Sequence, residues 1–154
     1  RKESSAASDV YKRQILMWAN YTYNFPIVKV DFNKTINNNA EFNDFLVNWT
    51  LLYQNKTDFS FIFNTVEVGL VNPKYCFKMT KFIRKLKKFP HQYLQKSIII
   101  VSNSYIKYLL NLIFRIQKPV APVYIFSSNE PVNYDLLLNK IENNELDDFN
   151  VVYP

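Results

Sequence analysis

The sequence has one cysteine, one glycine and one histidine in 154 residues, and each scarcity removes a class of chemistry. A lone Cys76 excludes an internal disulfide framework and a cysteine-rich zinc site. Loops that cradle phosphates need several glycines, because backbone N–H groups must approach the ligand where a Cβ would clash. Gly69 alone therefore argues against a P-loop or a dinucleotide fingerprint. His91 stands in the polar connection FPHQYLQK and reads as a solvated side chain rather than a ligand or general base. No apolar run reaches the roughly 18 residues a membrane span needs, and no secretory leader is visible. SIIIV and YLLNLIF are core-sized.

Aromatic and aliphatic residues, by contrast, are abundant. Hydrophobic residues make up 48% of the chain and aromatics 17%, so the chain has the means to build a core and is not a disordered tail. The four Asn-X-Thr triplets at Asn20, Asn33, Asn48 and Asn55 are little more than the about two that so asparagine-rich a composition gives by chance, and they are not read as glycosylation sites.

The segment SSAASDVYKRQ, Ser4 to Gln14, has no apolar stripe and no capping pattern. It resembles the translation of a transposase adapter used in shotgun library preparation. Residues 1–14 therefore read as a non-native adapter-like segment, set aside before any fold reasoning. The chain carries a formal charge of +6. The segment holds Arg1, Lys2, Lys12 and Arg13 against Glu3 and Asp9, which leaves the body at +4. That body, roughly 140 residues, is one domain, long enough to bury about two-thirds of the surface its unfolded chain exposes.

Hydrophobic period gives the element order. WANYTYN and PIVKVDFN, joined at Asn24-Phe25-Pro26, read as a hairpin; the second alternates Val28, Val30 and Phe32 against Lys29 and Asp31, as a strand with one buried face does. Asn37 to Asn39 cap a helix from about Ala40 to Gln54, with Phe42, Phe45, Leu46, Trp49, Leu52 and Tyr53 on one stripe. DFSFIFN is a strand. Asn72-Pro73 starts a second helix that buries Cys76, Met79, Ile83 and Leu86 and stops at Phe89-Pro90. KSIIIVS is continuously apolar, as a central strand covered on both faces is. A third helix capped by Ser102 or Asn103 turns Ile106, Leu109, Leu110, Ile113 and Phe114 inward. PVYIFSS is the last strand, and Asn129 leads into a fourth helix burying Val132, Leu136, Leu137 and Ile141. The expected order is β-β-α-β-α-β-α-β-α: a single α/β domain over residues 15–142, with a mixed, mostly parallel five-stranded sheet and about four helices. Residues 143–154, with Glu145, Asp147 and Asp148, read as an acidic tail that frays.

Chemical signals are sparse. Asp31, Glu41, Asp44, Asp58 and Glu67 are scattered, with no spacing that demands acid–base work. Ser102, Ser104, Ser127 and Ser128 fall at strand-to-helix junctions, where capping accounts for them. Cys76 lies on an apolar stripe and reads as a buried structural thiol. The positive feature is basic: Lys74, Lys78, Lys81, Arg84, Lys85 and Lys88 line one face of the second helix. Such a stripe is commonly just a solvated face. Its sharper reading is an anionic membrane surface, since Phe82 and Phe89 flank the charges and no stacking platform for nucleic acid is evident.

The run SIIIVSNSYIKYLLNLIFRIQKPVAPVYIFSS, Ser97 to Ser128, resembles the C-terminal half of small STAS-like domains, the sulfate-transporter and anti-sigma-factor-antagonist group. The element order matches from Trp18 to Ile141. The stretch including FPHQYLQKSIIIVSN is similar to the lipid-binding CRAL-TRIO domain, which shares the underlying fold. The resemblance implies a cytoplasmic, non-catalytic binding or regulatory module without a cofactor or metal, acting on an unidentified protein partner. Its contact surface would lie at Asn72, Lys74 and Tyr75, where the anti-sigma antagonists carry their switch. The alternative it implies is a lipid-binding or anionic-membrane-surface protein. Two departures stand out. LVNPKY, Leu70 to Tyr75, lacks the phosphorylatable serine of the antagonists. The helical lobe and gate helix of CRAL-TRIO lipid carriers are also missing, which argues against a closed lipid cavity.

Overall fold

The computed structural model describes residues 17–154, and the adapter-like residues 1–14 lie outside them. Among these residues six strands and four α-helices follow in the order β1 (Ala19–Asn24), β2 (Ile27–Phe32), α1 (Asn39–Leu52), β3 (Phe59–Asn64), α2 (Lys74–Lys87), β4 (Leu94–Val101), α3 (Ser104–Ile116), β5 (Val123–Ser127), α4 (Tyr134–Glu142) and β6 (Phe149–Val152). One sheet holds all the strands, in their chain order. β1 pairs antiparallel with β2, as the hairpin reading expects. The pairs β2–β3, β3–β4 and β4–β5 are parallel. β5 and β6 are antiparallel. The fold is thus α/β with a mixed sheet, as expected, but it has six strands where five are expected, and the sixth adds a second antiparallel pair at the other edge.

Helix ends are set by asparagine. Asn38 Oδ1 accepts from Glu41 N at 3.0 Å, and Asn103 Oδ1 accepts from Ile106 N at 2.8 Å. Asn133 does the same for Leu136 N at 3.2 Å. Each satisfies one of the orphan N–H groups of a first turn. Pro73 already has helical angles, φ −56° and ψ −19°, so Asn72 is effectively the cap of α2, accepting from Lys74 N at 3.0 Å.

The two faces of the sheet are covered unequally. α1, α2 and α3 pack on one face, against Val28, Val30 and Phe32, Phe59, Phe61 and Phe63, and Ile99, Val101, Val123 and Ile125. Among the described residues, α4 is the helix that covers the other, over Ile62, Ile98 and Ile100. Ile98 to Val101 are all buried, as a central strand sandwiched between two layers must be.

Two expectations need correction. Leu136 is 52% exposed; on α4 it is Leu137 and Ile141 that are buried, with Leu138 packed beside them. The acidic tail does not fray over its whole length. Asn144 adopts the left-handed conformation, φ 58°, and Glu145 N donates back to Lys140 O at 2.8 Å. This is a helix-terminating turn of Schellman type. It reverses the chain and lays Phe149–Val152 along β5. Phe149 is buried, with ring centroids 6.0 Å from Tyr124 and 5.6 Å from Phe126.

Candidate functional site

Between the sheet and the three-helix layer lies an apolar cavity of about 160 Å³. Trp18, Phe42 and Trp49 stand along it, as do Ile99, Leu109 and Ala121. Alternation along the strands explains the lining: every second side chain of β2, β3 and β4 must face this layer. The inner stripe of α2 supplies Tyr75, Cys76, Met79, Ile83 and Leu86. Polar side chains are few: Thr65 and Ser97 reach the wall, and Thr65 Oγ1 already donates to Ile100 O at 2.7 Å.

The segment between β3 and α2 closes one side through Val68 and Val71. Three side chains hold it. Tyr105 Oη donates to Val71 O at 2.6 Å, Ser102 Oγ to Val66 O at 3.0 Å and Asn103 Nδ2 to Val68 O at 3.3 Å. Ser102 and Asn103 read as capping residues in the sequence, and Asn103 does cap; both also tether this wall.

Two tryptophans that line the cavity have buried indole nitrogens. Trp18 Nε1 has no hydrogen-bond partner among the described residues. Trp49 Nε1 does not reach hydrogen-bond geometry either, although it lies close enough to Tyr53 to favour that phenolate. A buried donor without a partner costs free energy on the order of 1–3 kcal/mol.

Of the expected contact surface, Asn72 and Lys74 are exposed. Tyr75 is buried, its ring 4.9 Å from that of Phe42. Lys74 Nζ and Lys78 Nζ sit 5.1 and 5.8 Å from the centre of the Tyr75 ring. Asn72 uses its carbonyl oxygen to cap α2. Lys81, Arg84, Lys85 and Lys88 are exposed on the outer face of α2, and Lys78 is half-buried. Arg84 Nε donates to Gln117 Oε1 at 3.1 Å, which stitches α2 to the end of α3. Cys76 is buried, and burial pushes its thiol pKa up, away from thiolate chemistry. His91 is exposed beside Tyr93.

A second cluster, on the opposite sheet face, is not read from the sequence. Asn64 Nδ2 lies 3.2 Å from Asp31 Oδ1 and 3.4 Å from Tyr134 Oη. Lys29 Nζ is 3.8 Å from Asp31 Oδ2 and 4.7 Å from the centre of the Tyr134 ring. Alternation does place Lys29 and Asp31 on this face; only the register β2–β3 brings Asn64 beside Asp31. Among the described residues, no group of three or more His, Cys, Asp or Glu side chains is arranged to hold a metal ion.

The resolved titration shifts are upward. Burial pushes Tyr53 up to about 12, with Trp49 and Gln92 opposing it. Burial likewise raises Tyr21, whose hydroxyl donates to Phe45 O at 2.7 Å, and Tyr23 adds to the effect. The unfolded chain therefore ionises first, near the free value of about 10. The stability these tyrosines provide is fully present below about pH 10 and is lost as pH rises toward their folded values. The loss is at most about 1.4 kcal/mol per pH unit per tyrosine. Urea midpoints at about pH 9 and about pH 11 are expected to fall steeply, and Tyr53→Phe to flatten the fall. Equal slopes in both proteins would deny Tyr53 its part.

No protein family, curated protein or solved structure matches the chain.

Proposed function

We propose that this domain is a non-catalytic binding module whose ligand is a small apolar molecule, held between the sheet and helices α1 to α3. The apolar cavity of about 160 Å³ carries this reading. Native cores are close-packed, with few voids larger than a water molecule. Space of this size left unfilled by side chains loses packing contacts that a bound apolar ligand would restore. An apolar cavity of about 150 Å³ stays dry and takes up benzene. The fitting ligand is therefore ring-sized, or a short stretch of acyl chain.

The resemblance of the sequence to STAS-like and CRAL-TRIO domains motivates a binding role, and neither a family model nor a solved structure extends it. Of the two readings, the apolar-ligand one goes ahead. A protein partner at Asn72, Lys74 and Tyr75 would find Tyr75 buried and the Asn72 carbonyl engaged. The wall groups also suit binding better than catalysis, since burial holds Cys76 toward its neutral form.

The test is Ala121→Leu. Ala121 is buried on the cavity wall, so leucine adds carbons to space that side chains leave open. In a filled core such an insertion costs about 1–3 kcal/mol. Here the thermal midpoint is expected to hold or rise. Toluene is expected to raise the midpoint of the parent chain and shift its tryptophan emission, and to do neither in Ala121→Leu. A destabilised Ala121→Leu together with a parent indifferent to toluene would overturn the reading.

A further inference from the structure

Charge is segregated along this chain. From Val68 to Asn129 there is no aspartate or glutamate, while eleven lysines and arginines fall in the same stretch. Seven of them are on α2 or at its end: Lys74, Lys78, Lys81, Arg84, Lys85, Lys87 and Lys88. Among the described residues none of them pairs with a carboxylate. Among the described residues the ion pairs are Lys29–Asp31 and Lys140–Asp148, both away from α2. α3, packed beside α2, contributes Lys107 and Arg115, with Lys118 just after it, and no acid. Such a field attracts an anionic surface and is not neutralised within the domain.

Apolar side chains stand inside that field. Phe77 is 53% exposed and sits three residues after Lys74, four before Lys81 and seven before Arg84, which puts all four on one helical stripe. Leu70, in the loop that leads into α2, is 83% exposed, and Tyr108 on α3 is 61% exposed. A cationic face with protruding phenylalanine and leucine is the pattern of interfacial binding, where charges meet headgroups and apolar side chains enter the acyl boundary.

We infer that the outer face of α2, centred on Phe77 and Lys81, docks the domain on an anionic lipid surface. Composition favours lipid over nucleic acid. Six of the seven cations are lysines, mobile point charges suited to a diffuse anionic plane, where base and phosphate readout favours arginine forks. The inference is independent of the cavity, which lies on the opposite side of the same helix.

The experiment is co-sedimentation of the full chain with phosphatidylcholine vesicles, with and without phosphatidylserine, alongside a duplex DNA titration. Each lysine near such a surface contributes about 1 kcal/mol, roughly fivefold in affinity. The exposed pair Lys81→Gln/Lys85→Gln is therefore expected to weaken binding to phosphatidylserine vesicles about 25-fold, with an unchanged thermal midpoint. Parent binding is expected to drop as the Debye length shrinks from about 30 Å at 0.01 M salt to about 8 Å at 0.15 M. Phe77→Ser, which keeps every charge, is expected to weaken binding as well. The adapter-like segment is present in all these proteins, so differences report on α2. Equal sedimentation with both vesicle types, or undiminished binding by the double variant, would overturn the inference. Duplex binding that the double variant loses, without vesicle binding, would assign the face to nucleic acid instead.

Discussion

Replacing Phe61 by alanine is expected to lower stability by about 3–5 kcal/mol, which in a domain of this size is a fall of roughly 10–20 °C in thermal midpoint. Phe61 is fully buried in the middle of β3. Its ring lies 4.5 Å from that of Phe63, 4.8 Å from Trp49 and 5.3 Å from Phe59. Trp49 in turn reaches Phe82 on α2 at 5.2 Å. The ring thus sits inside the aromatic cluster that α1, α2 and the sheet share, and truncation leaves several partners facing a void. Phe77→Ala is the matched control. The same change on a half-exposed α2 position is expected to stay within about 0.5 kcal/mol. Similar losses in the two variants would show that the cluster is not what holds these layers together.

The sequence marks these layers well because each has a clean period. Val28, Val30 and Phe32 alternate with Lys29 and Asp31, and all three are buried. Asn38 and Asn103 cap the helices whose starts they mark, since a cap is a local event fixed by a few neighbouring residues. Leu136 is different. It stands in an apolar run with Leu137 and Leu138, ahead of Ile141, and three consecutive leucines spread around much of a helix do not say which turn inward. Only the angle at which α4 lies on Ile98 and Ile100 decides that.

The candidate site is less legible, for the same reason. A cavity belongs to no residue: Trp18, Ile99, Leu109 and Ala121 each read as ordinary core, and the space between them arises from how three helices seat on a twisted sheet. Its one local signal is tryptophan, a side chain that normally finds a partner for its N–H when buried. Trp18 next to the first strand was open to that question. The lysine stripe is the converse case. Its spacing is plain in the sequence, while the absence of acidic partners around it depends on which elements pack beside α2. Asn64 and Asp31 likewise meet only through the parallel register of β2 and β3.

Deleting Phe149–Pro154 is expected to have an effect as large as Phe61→Ala, and it tests the element that charge conceals. Glu145, Asp147 and Asp148 give the C-terminal stretch an acidic, solvated look, yet four residues beyond them pair with Val123 to Phe126. Two terms are lost together. Phe149 covers Tyr124 and Phe126, and removing a buried phenylalanine costs about 3–5 kcal/mol. β5 also loses its outer ladder, which turns a paired strand into an exposed apolar edge prone to association. The truncated chain is expected to melt at least about 10 °C lower and to aggregate on concentration. Phe149→Ala is expected to reproduce most of the melting change without the aggregation, because the ladder remains. Deleting Tyr153 and Pro154 alone, both exposed and beyond β6, is expected to change neither. A truncated chain that melts with the parent and stays monomeric would return the segment to a solvated tail and leave β5 as the true edge of the sheet.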